Sequence, residues 1–152
     1  MSANKNVFVL DDGTREIIVN NKYGEEICKL HIRSGDLSIM DRYKELMDDY
    51  EDIIAPLSAL SVDDEGNGNT DSDWEVLKGV EKKLIDKIDY VFGMKDASKL
   101  FASRNAFSSI GGAFYIEKVL EMLGNIVSQS IDEEGEKTRK RLEKYTSDLK
   151  KE

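Results

Sequence analysis

Between Ile39 and Leu60 the apolar residues recur at alternating spacings of four and three, as Ile39, Tyr43, Leu46, Tyr50, Ile53, Leu57 and Leu60. That period lines one face of an α-helix and neither face of a strand. Met47 and Ile54 widen the stripe to the breadth a helix buries against a core. A second stripe holds Trp74, Leu77, Leu84, Ile88 and Val91, supported by Val80 and Ile85. A third holds Phe114, Tyr115, Val119, Leu120, Leu123, Ile126 and Val127. Three such segments require helices that cover one another. The spacing predicts helices at about 38–60, 73–92 and 112–130, with a short one at 97–101. Asp36 or Ser38 is the expected cap of the first. Pro56 has no amide to donate and clashes with the preceding turn, so a kink or a break that restarts the helix is expected there.

The corner after the second stripe is spelled out in turn chemistry. Gly93 can take the left-handed conformation that ends a helix without a side-chain clash. Asp96 is placed to accept hydrogen bonds from the free amides of the following short helix. Val91, Phe92, Leu100 and Phe101 would then face one another across the turn.

Before the helices, 15–19 and 26–32 alternate in the manner of strands around Asn20, Asn21 and Gly24, which suit a hairpin turn. In the second strand Cys28, Leu30 and Ile32 share one face, while Ile27, Lys29 and His31 take the other. The apolar run 7–10, ahead of Asp11, Asp12 and Gly13, is a candidate third strand. A lone hairpin is marginal in water and must lean on a helix or another chain. The expected class is therefore α+β, an N-terminal β-hairpin followed by a mainly α-helical body. One domain at 1–130 and a charged, helical or frayed tail at 131–152 suit a chain of 152 residues. The tail carries balanced charge around sparse Leu142, Tyr145 and Leu149, so it either frays or docks on a partner.

Charge narrows the partners. The net charge is −9, and between Asp41 and Glu75 twelve acids stand against two bases. Nucleic-acid affinity comes from neutralising phosphates, so a chain with this balance is not expected to bind nucleic acid. The Lys137–Arg141 cluster is interleaved with acids and reads as a solvated helix face. The acidic middle keeps the chain soluble or meets a basic protein partner; both readings stay open. No apolar run is long enough to span a membrane, and the first residues lack the apolar stretch of a signal peptide. With one cysteine no internal disulfide forms, and a cytoplasmic setting is the expectation.

Reactive constellations are scarce. Cys28 and His31 are each the single residue of their kind. Three apart on a strand, they point to opposite faces and cannot form a nucleophile–base pair. They also fall short of a zinc ligand set. No phosphate-binding glycine loop follows a strand. In the glycine-rich loop at 61–73, Asp63, Glu65, Asn67, Gly68 and Asp71 fall on positions of a calcium loop. Trp74 stands where its closing bidentate glutamate belongs, and Glu75 comes one place too late. The loop reads as a solvated linker before it reads as a calcium module. No enzyme activity and no cofactor are expected.

The order Ile88, Val91-Phe92-Gly93, Ala97, Leu100-Phe101, and then an apolar helix from Phe114 to Val127, resembles the tail assembly chaperones of long-tailed phages of the Gram-positive siphophage type. The resemblance covers about 15–127, since these small acidic proteins open with a hairpin and continue as helices. It implies binding to the tape measure protein, a very long helix-rich chain, and help in recruiting tail tube subunits, in the host cytoplasm and without nucleotide turnover. Self-association stays open. The implied mode is helix in groove, with coiled-coil character, in which each large apolar side chain covered contributes about 1.5–3 kcal/mol. The implied surface is Val91, Phe92, Leu100, Phe101, Phe114, Val119 and Leu123. Against it stands the reading in which the three helices use these residues to satisfy one another. A structural minor tail or adaptor protein retained in the virion is the alternative function.

Overall fold

The computed structural model of the chain describes residues 5–59 and 71–150. Strand β1, Arg15–Asn20, pairs antiparallel with β2, Glu26–Ile32, with Ile17 opposite Leu30 and Val19 opposite Cys28. The hairpin turns on Asn21, whose side-chain oxygen accepts from the Tyr23 and Glu25 amides, and on Gly24 at φ +85°. The expected faces hold: Cys28, Leu30 and Ile32 are buried, while Lys29 and His31 face solvent. Residues 7–10 do not form the candidate third strand. They remain irregular, with each apolar side chain in solvent. Four successive apolar residues without alternation have no polar face to turn outward, so neither edge of the small hairpin covers them.

Helix α1, Ser38–Ile54, follows. Neither expected residue is the cap: Leu37 takes that position without a side-chain bond, Ser38 is the first helical residue, and Asp36 braces the approach, its Oδ1 accepting from the Ser38 amide at 2.9 Å and its carbonyl from the Ile39 amide. At Pro56 the chain neither kinks nor restarts as α-helix, but tightens into a 3-10 turn, Ala55–Ala59. The missing Pro56 amide removes one α-helical bond, and the tighter pitch re-pairs the neighbouring groups. The linker expected at 61–73, with the calcium-loop positions Asp63, Glu65 and Asn67, lies outside the described residues as far as residue 70. Helix α2, Asp71–Phe92, starts directly after it.

The corner after α2 closes on Gly93 at φ +62°, and the Met94 amide donates to the Asp89 carbonyl at 3.0 Å. That six-residue reach is the Schellman ending of a helix. Asp96, the expected cap of the short 3-10 helix Ala97–Phe101, makes no capping bond. The Asp89 side chain takes that role and accepts from the Ala97 amide at 3.0 Å. Asp96 turns instead to β2, where it accepts from the His31 amide at 3.1 Å. The loop expected at 103–112 also contains structure. Strands β3, Ser109–Ile110, and β4, Ala113–Phe114, pair across Gly111 and Gly112 at φ +60° and +88°. Two successive positive φ values make the tight hairpin turn that glycine pairs favour, so the pair fixes a direction and does not loosen the loop.

Helix α3, Tyr115–Lys150, is continuous and absorbs the tail that was read as a separate segment. Glu117 reaches back to accept from the Phe114 amide at 2.7 Å, half of a capping box. The core draws on the hairpin and the three long helices: Leu30 and Ile32 from the hairpin, Ile39, Leu46 and Ile53 from α1, Leu84, Ile88 and Phe92 from α2, and Ile116 and Leu123 from α3. Two buried serines join the ends of the fold. Ser130 donates to Ser34 at 2.8 Å and accepts from Arg15 at 3.1 Å, which ties β1 and the end of β2 to the middle of α3.

Two measurements check this account. Gly93→Ala places a side chain at positive φ and within 2.8 Å of the Arg33 guanidinium, so chemical denaturation should show a loss of about 1–2 kcal/mol. The Ser38 amide, then Arg42, hold the Asp36 carboxyl below its ordinary value of 3.8. A lowered folded value means stability that is complete above 3.8 and lost as pH falls through the folded value. Asp36→Asn should therefore melt below the unaltered protein at neutral pH, and the two melting curves should converge in acid.

Candidate protein-binding surface

Of the seven residues implied as a partner surface, Val91, Phe92, Leu100, Phe101, Val119 and Leu123 are buried, and only Phe114 reaches solvent. Their burial follows from the corner geometry. Phe101 meets Tyr115 edge to face at 5.4 Å, and the Tyr115 hydroxyl donates to the Leu100 carbonyl at 2.6 Å. Phe92 meets Tyr43 of α1 edge to face at 6.1 Å. A partner could touch these six side chains only by displacing a neighbour from the core. Phe114 packs edge to face on Phe107 at 5.6 Å and lies at the rim of the β3–β4 turn.

The two residues considered for chemistry are separated as expected. The Cys28 thiol is buried, and burial, then Asp96, pushes its pKa up, which keeps it protonated and a poor nucleophile. His31 sits on the outer face between two carboxylates, with Asp96 Oδ2 3.1 Å from Nδ1 and Glu16 Oε2 3.1 Å from Nε2. Two ties from His31 to Asp96, through the ring and the backbone amide, clamp the hairpin to the corner, while the Glu16 contact joins the two strands of the hairpin itself. Among the described residues no group of three or more histidines, cysteines, aspartates or glutamates could hold a metal ion, and no helix is long and apolar enough to cross a membrane.

What the fold does leave open is apolar surface. Val7, Phe8, Val9 and Leu10 are 65%, 87%, 96% and 86% exposed. They lead into the Asp11–Thr14 turn, where Asp11 accepts from the Gly13 amide and Asp12 from the Thr14 amide and hydroxyl. That turn leads directly into β1, whose outer edge pairs with no strand among the described residues. A second apolar surface is a groove between α1 and α3, floored by Phe92 and walled by Tyr43 and Met40. Leu37 and Leu142 extend it along the exposed half of α3.

The helical stripes supply the floor and one wall of the groove, through Ile39, Tyr43 and Val127, but a stripe marks what is covered and did not single this surface out. Its signals lay off the stripes: the unbroken apolar run at 7–10, Leu37 and Met40 beside the core positions of α1, and the sparse Leu142 and Tyr145. The acids of α1, Asp41, Glu45, Asp48, Asp49, Glu51 and Asp52, all face solvent and give its outer side a negative field. Compared with protein-family models, with curated proteins and with solved structures, the chain matches none.

Proposed function

We propose that this chain is a phage tail assembly chaperone, which binds the tape measure protein and helps recruit tail tube subunits, and which works by covering apolar surface without turning over a substrate. The observation that carries the reading is the run Val7–Leu10, four large apolar side chains held in solvent at the edge of an otherwise well-packed domain. A contiguous apolar patch of that kind marks an interaction site more often than it marks a stable free surface. The order of the corner residues, the hairpin opening and the helical body support the family assignment. The burial of Val91, Phe92, Leu100, Phe101, Val119 and Leu123 moves the client surface away from the corner, whose part is to hold the body together.

The expected client segment is extended and apolar. A few residues after Val7–Leu10, β1 has an outer edge that pairs with no strand among the described residues, and it carries the exposed Ile18. An added strand would pair with that edge while its side chains cover the run. Such a segment belongs to a partner that has not yet been enclosed in the finished tube.

The test is co-expression with the tape measure protein and the tube subunit of the same phage. The tagged chain should keep the tape measure protein in the soluble fraction and co-purify with it, and should be missing from finished virions. Replacing Val7, Phe8, Val9 and Leu10 together by serine should cut recovery of the client at least about tenfold while leaving the melting temperature unchanged, because the run contributes nothing to the core. Failure to retain either partner would end the chaperone reading. Presence in purified virions would favour a structural tail or adaptor protein instead.

A further inference from the structure

We infer that two copies of this chain associate through α3 as an antiparallel helix pair, the exposed tail of each lying in the groove of the other. This does not rest on the chaperone reading. Helix α3 is 36 residues long, about 54 Å at the α-helical rise. Its first half is covered by the body. From Asp132 to Thr146 every side chain is exposed. The ion pairs along that half, Lys137 with Glu134 and Arg139 with Glu136 and Glu143, are all within the helix and in solvent, where such pairs add little. A helix with nothing packed on it is marginal in water.

The exposed half nevertheless carries a seam. Gly124, Ser128, Ile131, Gly135, Thr138, Leu142 and Tyr145 recur at spacings of four and three, the period at which two helices wind together. The seam borders the face that meets the core through Leu120, Leu123, Val127 and Ser130, and Val127 lines the groove beside it. Both halves of the groove follow the seam. Gly124, Ser128 and Ile131 line the part walled by Met40 and Tyr43, and Ile131, Gly135, Thr138 and Leu142 line the part beside Leu37. Ile131 belongs to both, so the groove is continuous from the body to the tail.

Size and charge along the seam select a second copy of this chain and set its direction. The body end of the seam is small, at Gly124 and Ser128, and the tail end is large, with Leu142 54% and Tyr145 63% exposed. Turning one copy end for end about Gly135 and Thr138 sets Leu142 against Ile131 and Tyr145 against Ser128 of the other copy. The groove walls then close over those side chains with Leu37 and Met40, which are 68% and 63% exposed in the single chain. The flanking charges agree with this register. Asp132 comes opposite Arg139 and Glu134 opposite Arg141, twice over by symmetry. Sliding the pair by one heptad would bring Arg139 against Arg139 and Arg141 against Arg141.

The test uses the full chain. Sedimentation equilibrium should give twice the 17.2 kDa chain mass at micromolar concentration. One variant carries Asp132→Lys and Glu134→Lys, and another carries Arg139→Glu and Arg141→Glu. Each alone should weaken association at least about tenfold, as several facing charges become like pairs. Mixed one to one, the two should form a heterodimer, since every facing pair is again opposite in sign. A fold defect could not be repaired by mixing. Direction is read by oxidation: Ser128→Cys mixed with Tyr145→Cys should give a disulfide-linked dimer, while Leu142→Cys alone should not. A monomeric chain at that concentration, two variants that stay apart when mixed, or rapid cross-linking of Leu142→Cys to itself would each overturn the antiparallel pair.

Discussion

Phe92 is fully buried one residue before the chain reverses, and the remaining packing depends on that reversal. Gly93 allows it through its positive φ, and three charged side chains hold it from outside. Arg42 of α1 donates to the Val91 carbonyl at 3.0 Å, binds Asp36 at 3.2 Å and lies 5.7 Å from the Tyr90 ring centre. It thereby satisfies a helix-end carbonyl of α2 and fixes the start of α1 with one guanidinium. Asp89 spans the turn with both its carbonyl and its carboxylate. Burial pushes its pKa up, against the pull of the Ala97 hydrogen bond, so the corner keeps a partly buried carboxylate in order to cap the next turn. Asp96 then reaches β2 through His31. Loosening this corner would separate the hairpin from α2 and leave Leu30 and Ile32 without a floor.

Seen from the corner, the two long helices have different duties. Helix α2 is used along its buried stripe, whereas α3 is covered by the body along its first half alone. Its core face stops at Ser130, where the hydroxyl bonded to Ser34 and Arg15 is the last buried side chain of that face. Beyond Ile131 the helix runs on with every described side chain exposed. A helix that served only to cover this core could end at Ile131. The continuation to Lys150 gives the chain an arm whose apolar residues can be covered only from outside.

The hairpin and the three helical stripes were legible because each has an unambiguous period, and the face of Cys28, Leu30 and Ile32 followed from strand alternation alone. Gly93 was legible because one residue type suits its conformation. Asp96 was not. Either Asp89 or Asp96 could cap Ala97, and the choice depends on β2 supplying the His31 amide, a contact across 65 residues that no local pattern encodes. The Gly111–Gly112 hairpin was missed because its strands have two residues each, too few to alternate. The burial of the corner residues was not legible for a related reason. Aromatic residues such as Phe101 mark strong apolar contact, and local sequence does not say whether another chain or the same one supplies the other side.

That distinction bears on what such a protein can offer a client. The core absorbs the corner aromatics, so a partner that needs them would have to unfold the corner, against Gly93, Arg42 and Asp89 together. Among the described residues, Val7–Leu10 and the α1–α3 groove offer apolar surface without unfolding, and the two differ in kind. The groove has a seam whose sizes and charges complement themselves, which favours a copy of the same chain. The N-terminal run has neither charge nor periodicity to specify a sequence, and its backbone is unpaired, so it suits many apolar segments equally. A pair of chains joined through the groove would still present two such runs, each fixed at its root by the Asp11–Thr14 turn. Two weak, unspecific contacts on one rigid body hold a long apolar client better than either alone, because the second binds at the high effective concentration set by the first.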